Sequence, residues 1–393
     1  MKSAGSLAQP FAAFSREEHD GRMARARALM REQKFACCVV MAPENLYYLG
    51  GYESWVSVNS PQALIFTADE PEPTLILRNV DLALALETSW VRDIRTYHLH
   101  TENFAARVAG VLEEKGIRDG RVAIELQSYA LPYTLGRELV AALAPVELID
   151  ATVLLGDLRL AKSPREMQYI EEAARFANLG LDAARQALKP GITEIGLAAA
   201  IEGALRQAGS DYWAIPTELA SGRRTPGGHA APRGKPIEPG ELVHLEFAGV
   251  SNRYHTTALQ TLSLGDPGPR AKELYEIGLQ SLRAGIAAVK PGVPVSAAEE
   301  ASLVPLRRHG LEHAAMMRFG YGIGIAYPPI WLETLQISRG FERRFESGMV
   351  FVLHSCLELV EEGIGVIQGG TYALTTSGLR MLVGAGDAPL VMV

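Results

Sequence analysis

Only three cysteines, Cys37, Cys38 and Cys356, occur in the 393 residues. That is too few for a disulfide framework and points to a reducing compartment. Cys37-Cys38 open the apolar run CCVVMAP, which reads as buried strand, so inert core thiols are expected there. No window reaches the roughly 18 uninterrupted apolar residues of a membrane span. The opening residues, MKSAGSLAQPFAAF, lack the sustained apolar core of a signal peptide. A cytoplasmic protein without membrane contact is therefore expected. Strong charge is also missing: 38 Lys and Arg stand against 45 Asp and Glu, a net charge of −7, which argues against nucleic acid as a partner. The one basic cluster, Arg22, Arg25, Arg27 and Arg31, is interleaved with Ala, Leu and Met at helical spacing and reads as a solvated helix face.

What is present suffices for two domains: the length exceeds one typical domain, and 48% of the residues are hydrophobic. Ser15 with Glu18 forms a capping-box pattern that opens a helix to about Lys34. The runs CCVVM, ALIFT, TLILR and VAIEL read as strands, with a helical stretch near Glu102–Lys115 before the last. Strands alternating with helices indicate an α/β fold. The first domain ends near Leu160, giving domains 1–160 and 161–393. A new helix starts at Ser163, with Pro164 in its first turn and Glu166 three residues past the cap.

The second domain repeats itself. The segment ALKPGITEIGLAAAIEGALRQAG returns in outline as AVKPGVPVSAAEEASLVPLRRHG. Gly191 to Gly292 and Gly209 to Gly310 both span 101 positions, and Gly240 to Gly348 spans 108. Two helix-helix-strand halves therefore make one pseudo-symmetric domain. Adding 108 to position 246 gives 354, so Glu246 and His354 occupy equivalent places. Alternation puts His244 and Glu246 on one strand face and Val243, Leu245 and Phe247 on the other. Val350, Val352 and His354 share a side, so placing His354 opposite Val350 and Val352 would take a bulge.

This organisation resembles the pita-bread superfamily of methionine aminopeptidase, aminopeptidase P, prolidase and creatinase, over nearly the whole chain. The resemblance implies a creatinase-like N-terminal domain and a pseudo-symmetric pita-bread catalytic domain. In the family's peptidases two Asp eleven residues apart, a His and two Glu hold two metal ions. Here Glu246 falls at the first Asp and Thr257 at the second (257 − 246 = 11). Tyr321 falls at the His within GYGIG, His354 at the first Glu, and Gly369 at the second. With four of the five ligands replaced, a two-metal site is not expected. His229, His255, His354 and Glu246 are the residues that could hold a single ion. The local match is closer to ectoine hydrolase, carried by GYESW, LEFAGVSNRYH and FGYGIGIAYPPIWLE. That enzyme and creatinase are metal-independent members acting on C–N bonds of small non-peptide molecules. This chain departs from ectoine hydrolase in the VIQGGT ending of its last strand.

The resemblance assigns roles residue by residue. Glu246 would attack an amidine carbon or activate water, and His229, in the loop RTPGGHAAPRGKP, would transfer protons. His255 and His354 would orient Glu246 or shuttle protons, or are satisfied core histidines. Tyr321 would donate to the developing tetrahedral centre. Trp331 and Glu333, with Tyr254 and Tyr327, would bind the substrate, the first two as an aromatic and acidic wall for an amidinium or guanidinium. Tyr52 and Trp55 would cap the site of the partner subunit in a homodimer. The expectation is a metal-independent hydrolase, without cofactor, of a C–N bond in a small cyclic amidine, amide or guanidino compound. A prolidase-type metallopeptidase and a catalytically inactive pita-bread binding module are the alternatives.

Overall fold

The computed structural model describes residues 10–384 and 388–393. The chain divides into two compact units, Met1–Arg159 and Leu160–Val393.

The first unit is built on a six-stranded mixed sheet. Its strand order is Asp93–Tyr97, Thr74–Arg78, Ala63–Thr67, Cys37–Val40, Arg121–Ile124 and Glu147–Asp150. Val39, Ile65, Ile76, Val122 and Ile124 pack on Val108, Leu112 and Leu139 of helices Phe104–Glu114 and Tyr133–Leu143. Cys37 and Cys38 are buried as expected, and burial pushes the Cys37 thiol up to about 12. Helix Arg16–Gln33 starts where the sequence places it, with Ser15 Oγ accepting from the Glu18 N–H at 3.2 Å. Its arginines are only in part the solvated face expected: Arg25 and Arg31 are exposed, but Arg22 and Arg27 are not. The Arg22 side chain is fully buried, with its guanidinium 3.9 Å from the Phe14 ring centroid and 4.3 Å from that of Tyr48. Arg27 and Arg31 donate to backbone carbonyls of Thr67, Ala68, Glu70 and Pro71. Long side chains with apolar stems cover core surface while their heads find acceptors, and helical spacing alone does not distinguish that from solvation.

The second unit carries the repeat. Its sheet runs in the order Ile330–Ile337, Gly320–Tyr327, Val350–Leu359, Ile364–Thr375, Tyr254–Ser263, Leu242–Ser251 and Glu218–Ser221. Helices Pro164–Ala187 and Glu194–Gln207 serve one half, and Pro269–Ala288 and Ser296–Arg308 the other. All six glycines that define the repeat have left-handed φ: 82° and 81° at Gly191 and Gly292, 101° and 67° at Gly209 and Gly310, 88° and 94° at Gly240 and Gly348. Glycine recurs at these turns because an L side chain there would be strained. The capping box at Ser163 closes in both directions, at 3.3 and 2.8 Å, and the other oxygen of Glu166 accepts from the Tyr254 hydroxyl at 2.7 Å. The helix start is thereby tied to strand Tyr254–Ser263. Among the described residues no helix is long and apolar enough to cross a membrane.

The seat of helix Pro164–Ala187 is the tightest test of this packing. A Cβ on Gly249 would stand 2.2 Å from the Ala173 carbonyl oxygen and 2.6 Å from the Ala177 nitrogen. Gly249→Ala is expected to cost about 1–3 kcal/mol by overpacking. Gly203→Ala, on a helix with open space at that position, is expected to gain up to about 1 kcal/mol. Urea unfolding of both variants checks this, and equal effects would mean that the helix does not sit on the strand as described.

Candidate active site

Packing decides which side chains share the sheet face away from the helices. Val243, Leu245 and Phe247 enter the core against the first helix pair, so alternation sends His244 and Glu246 to the opposite face. Phe351, Leu353, Leu357 and Leu359 are helix-side in the second half, which sends His354, Cys356 and Glu358 to that same face. Pairing with Ile364–Thr375 runs unbroken from Val350 to Leu359, so His354 reaches its place without a bulge, on the same side as Val350 and Val352. The pairing register repeats in the two halves: Leu219 pairs with Leu245, and Gly320 with Leu353.

Glu246 is 5% exposed, and its Oε1 accepts from the Tyr321 hydroxyl at 2.7 Å. Directly across the strand pair stands Glu218, a spacing that brings Cβ atoms to about 4.5–5.5 Å. Among the described residues no lysine or arginine is ion-paired with either carboxylate. Burial holds both carboxyls above the usual range. The neighbouring Glu246 raises Glu218 further, whereas the Tyr321 hydroxyl pulls Glu246 back down. Burial first, and Glu246 second, push the Tyr321 phenol well up. One proton shared by the two carboxyls resolves the repulsion, with the anion favoured at Glu246 by the phenol.

The His354 ring centroid lies 6.1 Å from that of Tyr321. Burial lowers His354 to about 3, helped by the charges of Arg318, His244 and His229, so it is a neutral imidazole at pH 7. His244 is lowered to about 4, again by burial first and then by His229. His229 itself is exposed, on the loop after strand Glu218–Ser221. Buried Glu358, raised chiefly by that burial, lies within the reach of the His229 charge and 3.6 Å from Cys356 Sγ. Thus Glu246, Tyr321, His354 and His229 form one neighbourhood, and Glu218, His244 and Glu358 join it.

The other expected residues are held elsewhere. His255 accepts from the Ala214 N–H at 3.0 Å through Nε2 and faces the Arg253 carbonyl at 2.9 Å through Nδ1. Both ring nitrogens are engaged, and the neutral tautomer carries its proton on Nδ1. The Tyr254 hydroxyl is given to Glu166. The Tyr327 ring lies 4.9 Å from the Arg253 guanidinium, which donates to the Ala326 carbonyl at 2.7 Å. Glu333 forms a buried ion pair with Lys162 at 2.6 Å. Trp331, buried in strand Ile330–Ile337, is the exception: its side chain hydrogen-bonds the Tyr321 hydroxyl and so joins the neighbourhood. In the first unit, the Tyr52 hydroxyl accepts from Gln62 Nε2 at 3.0 Å in the core, while Trp55 is 62% exposed.

Residues 168–378 match Metallopeptidase family M24, and residues 22–161 match the Creatinase/Prolidase N-terminal domain. The chain belongs to metallopeptidase family M24. Its fold is the two-domain creatinase and prolidase arrangement with an α/β N-terminal domain and a pita-bread second domain. The M24 relatives include the ectoine hydrolase of Halomonas elongata, 28% identical, with 94% of this chain and 96% of the relative covered. The creatinase of a Bacillus species is 26% identical over 92% of this chain and 88% of its own. The crystal structure of a prolidase from Thermococcus sibiricus shares the fold, with TM-score 0.86 at 21% identity, covering 95% of this chain and 99% of that one. A hydrolase of this superfamily is the coarse function these relatives support.

The family name implies metal, and the donors here do not fit a two-ion centre. Thr257 offers a neutral hydroxyl. Gly369 has no side chain, and a Cβ there would meet the Leu353 carbonyl oxygen at 2.2 Å and His354 Cβ at 2.7 Å. Among the described residues no group of three or more His, Cys, Asp or Glu side chains converges as a metal ion requires.

Glu218 escaped the sequence reading because its role depends on strand pairing, not on a motif. Its pairing makes a pH prediction. A carboxyl whose folded value lies above the ordinary 4.5 binds extra proton in the folded state, so its contribution is intact below about 4.5 and is lost as pH rises through the raised value. Glu218→Gln removes the like charge, so it is expected to flatten this decline and to stabilise the protein at pH 8 by roughly 0.2–1 kcal/mol. The gain at pH 5 should be smaller. Thermal unfolding at both pH values checks it, and an equal effect at the two would sever the link between the carboxyls.

Proposed function

We propose that this protein is a metal-independent hydrolase of a non-peptide C–N bond in a small cyclic amidine, amide or guanidino compound. The observation that carries the reading is the Glu218–Glu246 pair, which has no protein cation among the described residues, with Glu246 at the position that the resemblance matches to the first metal-binding Asp of the family's peptidases. An amidinium or guanidinium group supplies the missing positive charge and places its electrophilic carbon beside a carboxylate. The ectoine hydrolase and creatinase relatives support the same class.

In this reading Glu246, steadied by the Tyr321 hydroxyl, forms the new C–O bond at the amidine carbon. His229 gives a proton to the departing nitrogen as the C–N bond breaks. Water, deprotonated by the same imidazole, then adds to that carbon and releases the Glu246 carboxylate. Glu218 holds the shared proton and, with Glu246, the substrate's charge. The prolidase-type alternative keeps the family's name but lacks the donor set described above.

Glu246→Gln keeps shape and removes the nucleophilic charge. Turnover is expected to fall by roughly a thousandfold or more, a barrier increase of about 4 kcal/mol, while the unfolding midpoint is retained. A screen of ectoine, creatine and related amidines, first by thermal shift and then by product release, supplies the substrate for this measurement. The purified protein is expected to stay active after chelation. One or two tightly bound transition metals per chain, with activity lost on their removal, would overturn the metal-free reading.

We also propose a homodimer in which Trp55 of one protomer faces the site of the other; its exposed indole supports a role in contact, whereas Tyr52, expected beside it, is buried in the core of its own unit. Mixing inactive Trp55→Ala and Glu246→Gln chains is expected to restore partial activity, because one hybrid site in each mixed dimer is intact. Mixed dimers that form and stay inactive would refute the trans arrangement.

A further inference from the structure

We infer that Glu194 is the positioning residue for His229. The loop that carries His229 leaves strand Glu218–Ser221 and is rich in glycine and proline, so it has little regular structure of its own. Its two ends are bound to a single carboxylate. Oε1 of Glu194 accepts from the Ser221 N–H and the Ser221 hydroxyl, both at 2.8 Å. Oε2 accepts from the Arg233 N–H at 2.9 Å and from the Arg224 guanidinium. Ser221 and Arg233 lie twelve positions apart (233 − 221 = 12), with His229 between them. A buried charge closing a loop in this way removes the entropy that would otherwise spread the histidine over many positions.

The carboxylate is itself rigidly placed. Glu194 is the first residue of helix Glu194–Gln207 and its side chain is fully buried. Its N–H donates to the Lys235 carbonyl and that of Ile195 to the Arg233 carbonyl, both at 3.0 Å. The helix is capped by Thr193, whose Oγ1 accepts from Gly196 N at 3.0 Å. From this anchor the loop is fastened inward. The Ala230 carbonyl accepts from Leu219 N–H at 2.9 Å, one residue after His229, and Thr225 Oγ1 accepts from Gly365 N–H at 2.9 Å. The chain has thus placed a charged residue at a helix start and used all its lone pairs to hold a loop, where a cap alone needs only Thr193.

The test reads the loop directly and needs no substrate. Glu194→Gln leaves one acceptor oxygen where there were two, so it cannot hold Ser221 and Arg233 together. Tryptic cleavage after Arg223, Arg224 and Arg233 is expected to accelerate at least about tenfold, the factor that about 1.4 kcal/mol of local opening corresponds to. The imidazole NMR signals of His229, assigned by their loss in His229→Asn, are expected to shift and broaden, while those of core His255 stay in place. Should Glu194→Gln not fold, Arg224→Gln removes one tie and is expected to give smaller changes of the same sign. A variant that unfolds earlier but leaves the His229 signals and the cleavage rate unchanged would show Glu194 to be a stability residue only and overturn the proposal. Because no turnover enters the measurement, its failure is separable from failure of the hydrolase reading.

Discussion

Everything about the candidate site depends on one cross-strand pairing, Glu218 opposite Glu246, inside a sheet that buries Glu246 almost completely. Two carboxylates directly opposite on adjacent strands destabilise the fold unless a proton or a cation intervenes. Among the described residues the protein supplies no lysine or arginine to intervene. It supplies instead a phenol, Tyr321, which binds one carboxylate without neutralising the pair. Elsewhere the same unit neutralises two buried acids fully: Glu333 has Lys162, and Glu194 has Arg224 and three further donors. The contrast marks Glu246 as a carboxylate kept short of a partner.

Burial then sorts the histidines. His255 has both nitrogens engaged by backbone and is part of the scaffold. His244 and His354 are kept neutral by desolvation and border the acid pair as polar but uncharged walls. His229 alone of this set is exposed, where an imidazole can exchange protons with solvent.

The fold was largely legible in the sequence because its signals are local or periodic. The Ser163 capping box, the strand runs and the repeated glycines each specify backbone geometry within a few residues, and each is found where expected. The 108-residue offset also located His354 opposite Glu246 in the repeat, since duplication turns a long-range relation into arithmetic. The site was legible only in part. Glu218 and Glu194 act through contacts set by register and loop closure, which leave no trace in residue spacing. Tyr254 and Glu333 were read as pocket residues because they stand in distinctive motifs, yet a motif does not reveal that Glu166 and Lys162 already occupy them.

The two offsets, 101 before the paired strands and 108 after them, differ by seven residues. The whole difference falls between Gly320 and Gly348, in the connection that in the earlier copy runs from Leu219 to Gly240. The earlier copy spends that connection on a loop bearing His229, the later one on a hairpin bearing Trp331 and Glu333. The parts that must pack keep their spacing in both copies, and the difference in length is confined to this stretch. One copy thus carries an exposed histidine and the other a buried ion pair, so the domain is symmetric in its packing and asymmetric in what its connections carry.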